Sequence, residues 1–336
     1  MLKQLEEFHR RLDEIMLKAF GKRIVLYGYG RSGQFIRWYA EYYHSLQVDY
    51  IITEDWSSAV PYEYPLFRNT LLDFDYKDVK DAIVWLAVPN SKNALSFLEE
   101  RGYVKGETYF DFCEAVYGRE VYTQEDETKD VFLQTKAGYR DVQCMEWLEY
   151  KYGCNLVTQV GSENFTGDKI NNFHYCISGQ KELFCILDKC HVDIKNGAIL
   201  DIGCGKGGAI VSFWDYGFDK VGGIEYEEKL FSVLQDNLKK LGMEEKVSVI
   251  HGDAAALTEE LDEYNYFYFF DPFSDFIYEK VVVHIRESVN RKRRKIYMIV
   301  RNPHAHMIVK KAGFMLTNQF CIETKQKVVS VYTNQV

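Results

Sequence analysis

Apolar residues recur at three- and four-residue spacing from Leu2 through Leu5, Phe8, Leu12, Ile15 and Met16. That spacing predicts an amphipathic opening helix over 2–19, its apolar face docked on the domain after it. Short continuous apolar runs then alternate with helical spacing. They predict strands over 22–26, 48–53, 82–88 and 108–112, with helices over 34–44 and 91–101 between them. The stretch 119–130 turns polar and acidic and reads as a linker. Beyond it the pattern predicts a helix over 142–152, a polar loop over 162–172 and a helix over 173–190. Next come strands over 198–202, 220–225, 246–250, 264–270 and 295–300, with helices over 209–213, 227–241 and 276–289. Two last strands, 315–322 and 328–333, face each other across a short polar turn.

Alternating strands and helices of this kind predict an α/β chain of two Rossmann-like domains. The expected boundaries are 1–122 for a Rossmann-like N-terminal domain, 123–195 for a linker and lid on the substrate side, and 196–336 for a second core.

The chemistry concentrates where the strand at 198–202 breaks into Gly203, Gly205, Gly207 and Gly208 before a helix. Such a turn lets bare backbone approach a ligand and points helix N-terminal N–H groups at it. Asp201 stands two residues before the first glycine, and Glu225 ends the next strand, where an acid can accept both hydroxyls of a ribose. The run Asp201-x-Gly203-x-Gly205-x-Gly207, with Glu225 after it, closely resembles the cofactor signature of class I S-adenosylmethionine-dependent methyltransferases, over roughly the last half of the chain.

The resemblance implies S-adenosyl-L-methionine as cofactor and a seven-stranded sheet closed by the antiparallel C-terminal hairpin. It implies cofactor contacts from Asp201, Gly203, Cys204, Gly205, Gly207, Glu225, Tyr226, Asp253, Ala254 and Asp271. Position in the lid adds Tyr175 and Asn172. Asp271-Pro272-Phe273-Ser274 is similar to the Asp/Asn-Pro-Pro-aromatic motif of amino-group methyltransferases but lacks its second proline and its aromatic in place. Asp271 is therefore the candidate for orienting a substrate N–H or O–H, with capping of the next helix as its plain alternative. His304 and His306, with Arg301, are candidates for a general base or an anion-side donor in the loop after the fifth strand.

Gly28-x-Gly30-x-x-Gly33 between a strand and a helix, with Glu54 after the next strand, gives the first domain the order of a dinucleotide-binding unit. It resembles NAD- or nucleotide-sugar-binding domains of sugar-modifying enzymes. Packing of helix on strand requires the same glycines, so a possible second nucleotide site and a bare scaffold both stand.

Composition narrows the partners. The 336 residues carry a net charge of −9, which disfavours non-specific binding to nucleic acid or anionic membrane. The basic run Arg291 to Lys295 reads as a solvated helix end. Eight cysteines in no paired framework, no apolar span long enough for a membrane, and acids in the first helix where a targeting peptide has none point to a reduced, cytoplasmic setting. Cys176, Cys185, Cys190 and nearby histidines lack metal-ligand spacing, so no metal is expected.

The expected function is methyl transfer to a small-molecule or sugar-nucleotide acceptor at O or N, with the first domain assisting substrate binding or homo-oligomerisation. Protein or RNA as acceptor is the alternative. A nucleotide-dependent oxidoreductase centred on 28–33, or a non-catalytic binder of S-adenosylmethionine, ranks behind.

Overall fold

The computed structural model describes residues 2–53, 66–68, 82–88, 92–117, 143–322 and 328–335. They fall into two compact units, Leu5–Trp147 and, with Met1–Gln4, Leu148–Val336. The linker expected over 119–130 lies outside the described residues.

The first unit holds α1 (Glu6–Ala19), β1 (Arg23–Tyr27), α2 (Arg31–His44), β2 (Tyr50–Thr53), β3 (Leu66–Arg68), β4 (Ala82–Leu86), α3 (Lys92–Glu99), β5 (Tyr109–Asp111) and α4 (Phe112–Tyr117). Its five strands are parallel in the order β3-β2-β1-β4-β5. The central strands are apolar on both faces, as a parallel sheet requires. Val25, Ile52, Val84, Leu86, Leu98 and Tyr109 form one core. Two short elements, β3 and α4, are absent from the sequence pattern, because three and six residues are too few to show a period.

The second unit opens with the end of α5 (Gln143–Tyr152), then α6 (Gln180–Cys190), β6 (Ala198–Ile202), α7 (Gly208–Tyr216), β7 (Lys220–Glu225), α8 (Glu228–Lys240) and β8 (Ser248–His251). It continues through β9 (Tyr266–Phe270), α9 (Asp275–Arg291), β10 (Tyr297–Arg301), α10 (His306–Lys311), β11 (Met315–Cys321) and β12 (Val328–Thr333). The sheet order is β11-β12-β10-β9-β6-β7-β8. β12 runs antiparallel between β10 and β11, while the other pairs are parallel. Leu200, Ile202, Phe267, Phe269, Val281 and Ile285 are buried in the core that binds this sheet to α9.

This arrangement places the carboxyl ends of β6, β7 and β9 side by side, where the strand order reverses and open α/β sheets bind their ligands.

The helix expected over 173–190 is confined to α6. Residues before Gly179 run extended instead, and Tyr175 bridges antiparallel to Val160. Apolar spacing there comes from side chains that face a pocket, not a helix stripe. The loop of His304 and His306 likewise holds the short helix α10, which begins at His306.

The basic run sits at the end of α9, as expected. Arg291 pairs with Asp262, Lys292 with Glu263, and Arg294 donates to the carbonyls of Leu261 and Tyr264. Those charges fasten a loop.

Candidate functional site

Ile202 leaves β6 into a turn that only glycine follows without strain. Gly203, Gly205 and Gly207 have φ of +79°, +55° and +90°. A Cβ on Gly205 would stand 2.2 Å from the Tyr175 ring, and one on Gly203 would stand 2.6 Å from Pro272 Cβ. The turn is pressed between the residues expected on the cofactor side and on the acceptor side.

A pocket opens over this turn. Its lining brings together Asp201, Gly203, Cys204, Gly205, Glu225, Tyr226, Asp253, Ala254, Asp271, Asn172 and Tyr175, all expected from the sequence. Gly207 is adjacent but does not line it; its role is the left-handed cap of α7. His304, His306 and Arg301 do not line it either. Asp168 and four phenylalanines, Phe165, Phe173, Phe270 and Phe273, also line it, and of these only Phe273 belongs to a motif read from the sequence.

The electrostatics are one-sided. Five carboxylates line the pocket (Asp168, Asp201, Glu225, Asp253 and Asp271), and no lysine or arginine does so among the described residues. Asp201 is buried, accepts no hydrogen bond from a described residue, and is pushed up to about 8 by burial and then by the charge of Glu225. A buried carboxyl beside a second acid, in a pocket lined by acids, suits a cationic ligand, so the residues fit the ammonium and sulfonium of S-adenosylmethionine.

Glu225 is also raised by burial, but it is well partnered. Its Oε2 accepts from the Gly205 N–H at 2.8 Å and its Oε1 from the Glu227 N–H at 2.7 Å. It therefore holds the glycine turn in shape while its remaining lone pairs stay open. Asp253 does two things: Oδ1 caps the short turn Ala254–Ala256 by accepting from Ala255 N–H at 2.8 Å, and the residue still lines the pocket.

Asp271 does not cap α9; Ser274 occupies that position. Asp271 sits at φ +43°, a strained conformation for a residue with a side chain, and its Oδ2 accepts from Asn302 Nδ2 at 2.8 Å. Asn302 is itself at φ +52°. Two strained turns locked to each other aim the carboxylate from the end of β9. His304 hydrogen-bonds Asp275 at 2.7 Å through Nδ1 and has Nε2 3.8 Å from Asp271, at the rim.

Arg301 and His306 are otherwise engaged. Arg301 is 1% exposed, pairs with Glu182 at 2.5 Å and lies 3.9 Å from the Phe270 ring centre. His306 hydrogen-bonds the Tyr332 hydroxyl at 2.8 Å. Neither is the anion-side donor expected from the sequence. Tyr175 donates its hydroxyl to the Leu156 carbonyl at 2.7 Å, so it meets the pocket with its ring.

Two residues beside the pocket, neither lining it, escaped the sequence motifs. Lys206, buried in the glycine turn, donates to Asn155 Oδ1 and the Thr158 carbonyl, each at 2.8 Å, and burial lowers its pKa to about 8. Glu227 reaches across to residues 166 and 167. A lysine between two glycines is a visible signal; the partners of Glu227 are not.

In the first unit, a Cβ on Gly28 would meet Val88 Cγ1 at 2.3 Å, and one on Gly33 would meet the Gly28 carbonyl oxygen at 2.0 Å. Gly30 faces open space. Gly28 is packed against the residues that follow β4, and Gly33 in α2 against the Gly28 backbone, so close packing asks for a glycine at both positions. Glu54 lies outside the described residues.

Residues 196–272 match the family model of RNA cap guanine-N2 methyltransferases. No curated protein matches the chain. Among solved structures, the PH0226 protein of Pyrococcus horikoshii OT3 is similar at 19% identity and TM-score 0.39, over 46% of this chain and 89% of that one. An RNA methyltransferase of Salinibacter ruber in complex with S-adenosyl-L-homocysteine is similar at 16% identity and TM-score 0.34, over 45% and 88%. The glycopeptide N-methyltransferase MtfA is similar at 10% identity and TM-score 0.36, over 46% and 95%. The sheet with its antiparallel hairpin, the acid-flanked glycine turn and the matched segment together make the C-terminal half of this chain a class I methyltransferase, an enzyme whose cofactor is S-adenosylmethionine.

Proposed function

We propose that the enzyme methylates a small acceptor through a neutral N–H or O–H presented to Asp271. The observation that carries this reading is the lining of the pocket, five acidic residues without a lysine or arginine among the described residues. An acceptor bearing a diphosphate would bring its charge to these walls with no cation to meet it, so a non-phosphorylated molecule is favoured over a sugar-nucleotide.

In this reading the backbone of 203–207 and Asp201 hold the methionine end of the cofactor. Glu225 holds the ribose hydroxyls, Asp253 and the Ala254 N–H hold the adenine edge, and Tyr226, Tyr175 and Cys204 form the walls. The cofactor, when bound, supplies a methyl group that is already electrophilic. What remains for the chain is to align the acceptor and exclude water. Asp271 accepts a hydrogen bond from the acceptor, aims its lone pair, and takes the proton that leaves. Phe173, Phe270 and Phe273 give a flat acceptor apolar faces to lie on. The first unit is read as a docking or assembly scaffold, on the internal packing of Gly28 and Gly33.

A second reading, RNA as acceptor, is favoured by the matched family model. The guanine amino group is a neutral N–H donor and would suit Asp271, but within the basic run that would meet phosphates Arg291 and Lys292 are paired with Asp262 and Glu263. Transfer of radiolabelled methyl from S-adenosylmethionine to a fractionated metabolite extract and to total RNA separates the two. Label in a small-molecule fraction supports the first reading, and label confined to RNA that resists small-molecule competition overturns it.

A further inference from the structure

The segment 165–173, a bend at 166–167 followed by a turn over 169–171, runs along the pocket and lines it with Phe165, Asp168, Asn172 and Phe173. Both of its ends are pinned. At one end the buried Glu227 carboxylate accepts from the Thr166 N–H at 2.9 Å, the Thr166 hydroxyl at 2.8 Å and the Gly167 N–H at 3.1 Å. Burial raises this carboxyl, and the same N–H groups more than offset it, holding it below the usual carboxylate range. Gly167 has no room for a side chain, since a Cβ would stand 2.6 Å from the Tyr226 ring.

At the other end the Ser274 N–H donates to the Asn171 carbonyl at 2.8 Å, the Ser274 hydroxyl to Asn171 Oδ1 at 2.7 Å, and Asn172 bridges Phe273. The segment thus joins the turn after β7, where Glu225 and Tyr226 stand, to the turn after β9, where Asp271 stands. Between the pins Asp168 folds it, accepting from the N–H groups of Ile170 and Asn171 at 3.0 and 3.1 Å.

We propose that Glu227 is a positioning residue, which clasps this strap over the cofactor and through it sets the acceptor-side turn 271–274. The carboxylate touches neither ligand. Its charge is met by the strap's own donors, so loss of the charge frees one end of the strap while leaving the sheet intact. Cofactor in the pocket packs under the strap and tightens both pins, and by reciprocity an ordered acceptor turn strengthens cofactor binding. The proposal rests on the cofactor reading of the pocket, which the wild-type protein tests separately.

The experiment uses the full chain with S-adenosylhomocysteine as probe, comparing wild type, Glu227→Gln and Thr166→Val by titration calorimetry and by amide hydrogen exchange. Glu227→Gln turns an amide N–H₂ toward backbone N–H groups, and the expected loss of affinity is about tenfold, as for a lost charge-assisted hydrogen bond. Thr166→Val removes only the hydroxyl bond and leaves the Thr166 and Gly167 N–H groups on the carboxylate, so a smaller loss of about threefold is expected. In wild type the ligand slows exchange at Thr166, Gly167 and Ser274; in Glu227→Gln the effect at Ser274 disappears, which a merely structural role for Glu227 would not produce. Wild-type affinity in Glu227→Gln, or ligand protection of Ser274 that survives it, overturns the clasp while the cofactor reading stands. If Glu227→Gln does not fold, wild-type affinity in Thr166→Val overturns it. A wild-type protein that ignores S-adenosylhomocysteine overturns both.

Discussion

Replacing Asp201 by asparagine separates stability from function at the centre of the site. Burial and the neighbouring Glu225 hold the Asp201 carboxyl at about 8, against 3.8 for a free one. A carboxyl with a raised folded pKa keeps its proton when the unfolded chain has lost it, so stability falls as pH rises between the two values. From pH 5 to 7 the difference approaches one proton, and the slope it contributes is about −1.4 kcal/mol per pH unit. Asparagine has nearly the same shape and no proton to lose. The Asp201→Asn profile is therefore expected to be flatter than wild type by about that slope, and the variant to be the more stable protein at pH 7. Urea unfolding at pH 5, 6 and 7, read on the transition that S-adenosylhomocysteine shifts, measures it. The same variant is expected to bind S-adenosylhomocysteine more weakly by about 1.5–3 kcal/mol, for the loss of a charge-assisted bond to the ligand ammonium. Parallel pH profiles, or undiminished affinity, would refute the reasoning.

Other contacts give further expectations. Gly205→Ala drives a Cβ toward the Tyr175 ring at a φ of +55°, so calorimetry is expected to show no S-adenosylhomocysteine binding to a chain whose far-ultraviolet dichroism is unchanged. Glu182→Gln strands the Arg301 guanidinium in the core, with an expected cost of about 3 kcal/mol in urea unfolding; a cost below about 1 kcal/mol would mean that the pair is solvated. Asp271→Ala is expected to leave S-adenosylhomocysteine affinity within about twofold, because the proposed cofactor contacts follow the other strands, and to lower kcat for methyl transfer by about 10²-fold or more. Equal losses in both would place Asp271 on the cofactor side.

The sequence exposed this site unevenly. The turn at Gly203 to Gly207 was legible because its chemistry is local: strand, positive-φ glycines and helix are contiguous, and the acids stand at the strand ends. The sheet's closing hairpin was legible for the same reason. The strap was not. Residues 173–178 carry an apolar spacing that mimics a helix, and only the antiparallel bridge from Tyr175 to Val160 makes them extended. Glu227 comes after Tyr226 at the start of α8 and looks like an exposed first-turn acid; its donors lie about sixty residues earlier in the chain. Arg301 obeys the same logic in reverse. A cation at a strand end beside two histidines resembles an anion site, but Glu182, far away in sequence, consumes its charge. Long-range pairing of charges leaves no periodic trace.

The glycines of the first unit are ambiguous in another way. Gly28-x-Gly30-x-x-Gly33 is a motif with two physical causes, and the packing cause is visible in the contacts of Gly28 and Gly33. A ligand fingerprint and a close helix–strand contact ask for the same residue type, so the letters alone do not separate them.

The central claim is that the carboxylate-lined pocket above β6, β7 and β9 binds S-adenosylmethionine. Titration calorimetry of the full chain with S-adenosylhomocysteine and, separately, with NAD tests it most directly. Saturable binding of S-adenosylhomocysteine at one site per chain is expected, abolished by Gly205→Ala, with no heat from NAD. Binding of NAD alone, or S-adenosylhomocysteine binding that survives Gly205→Ala intact, would contradict it.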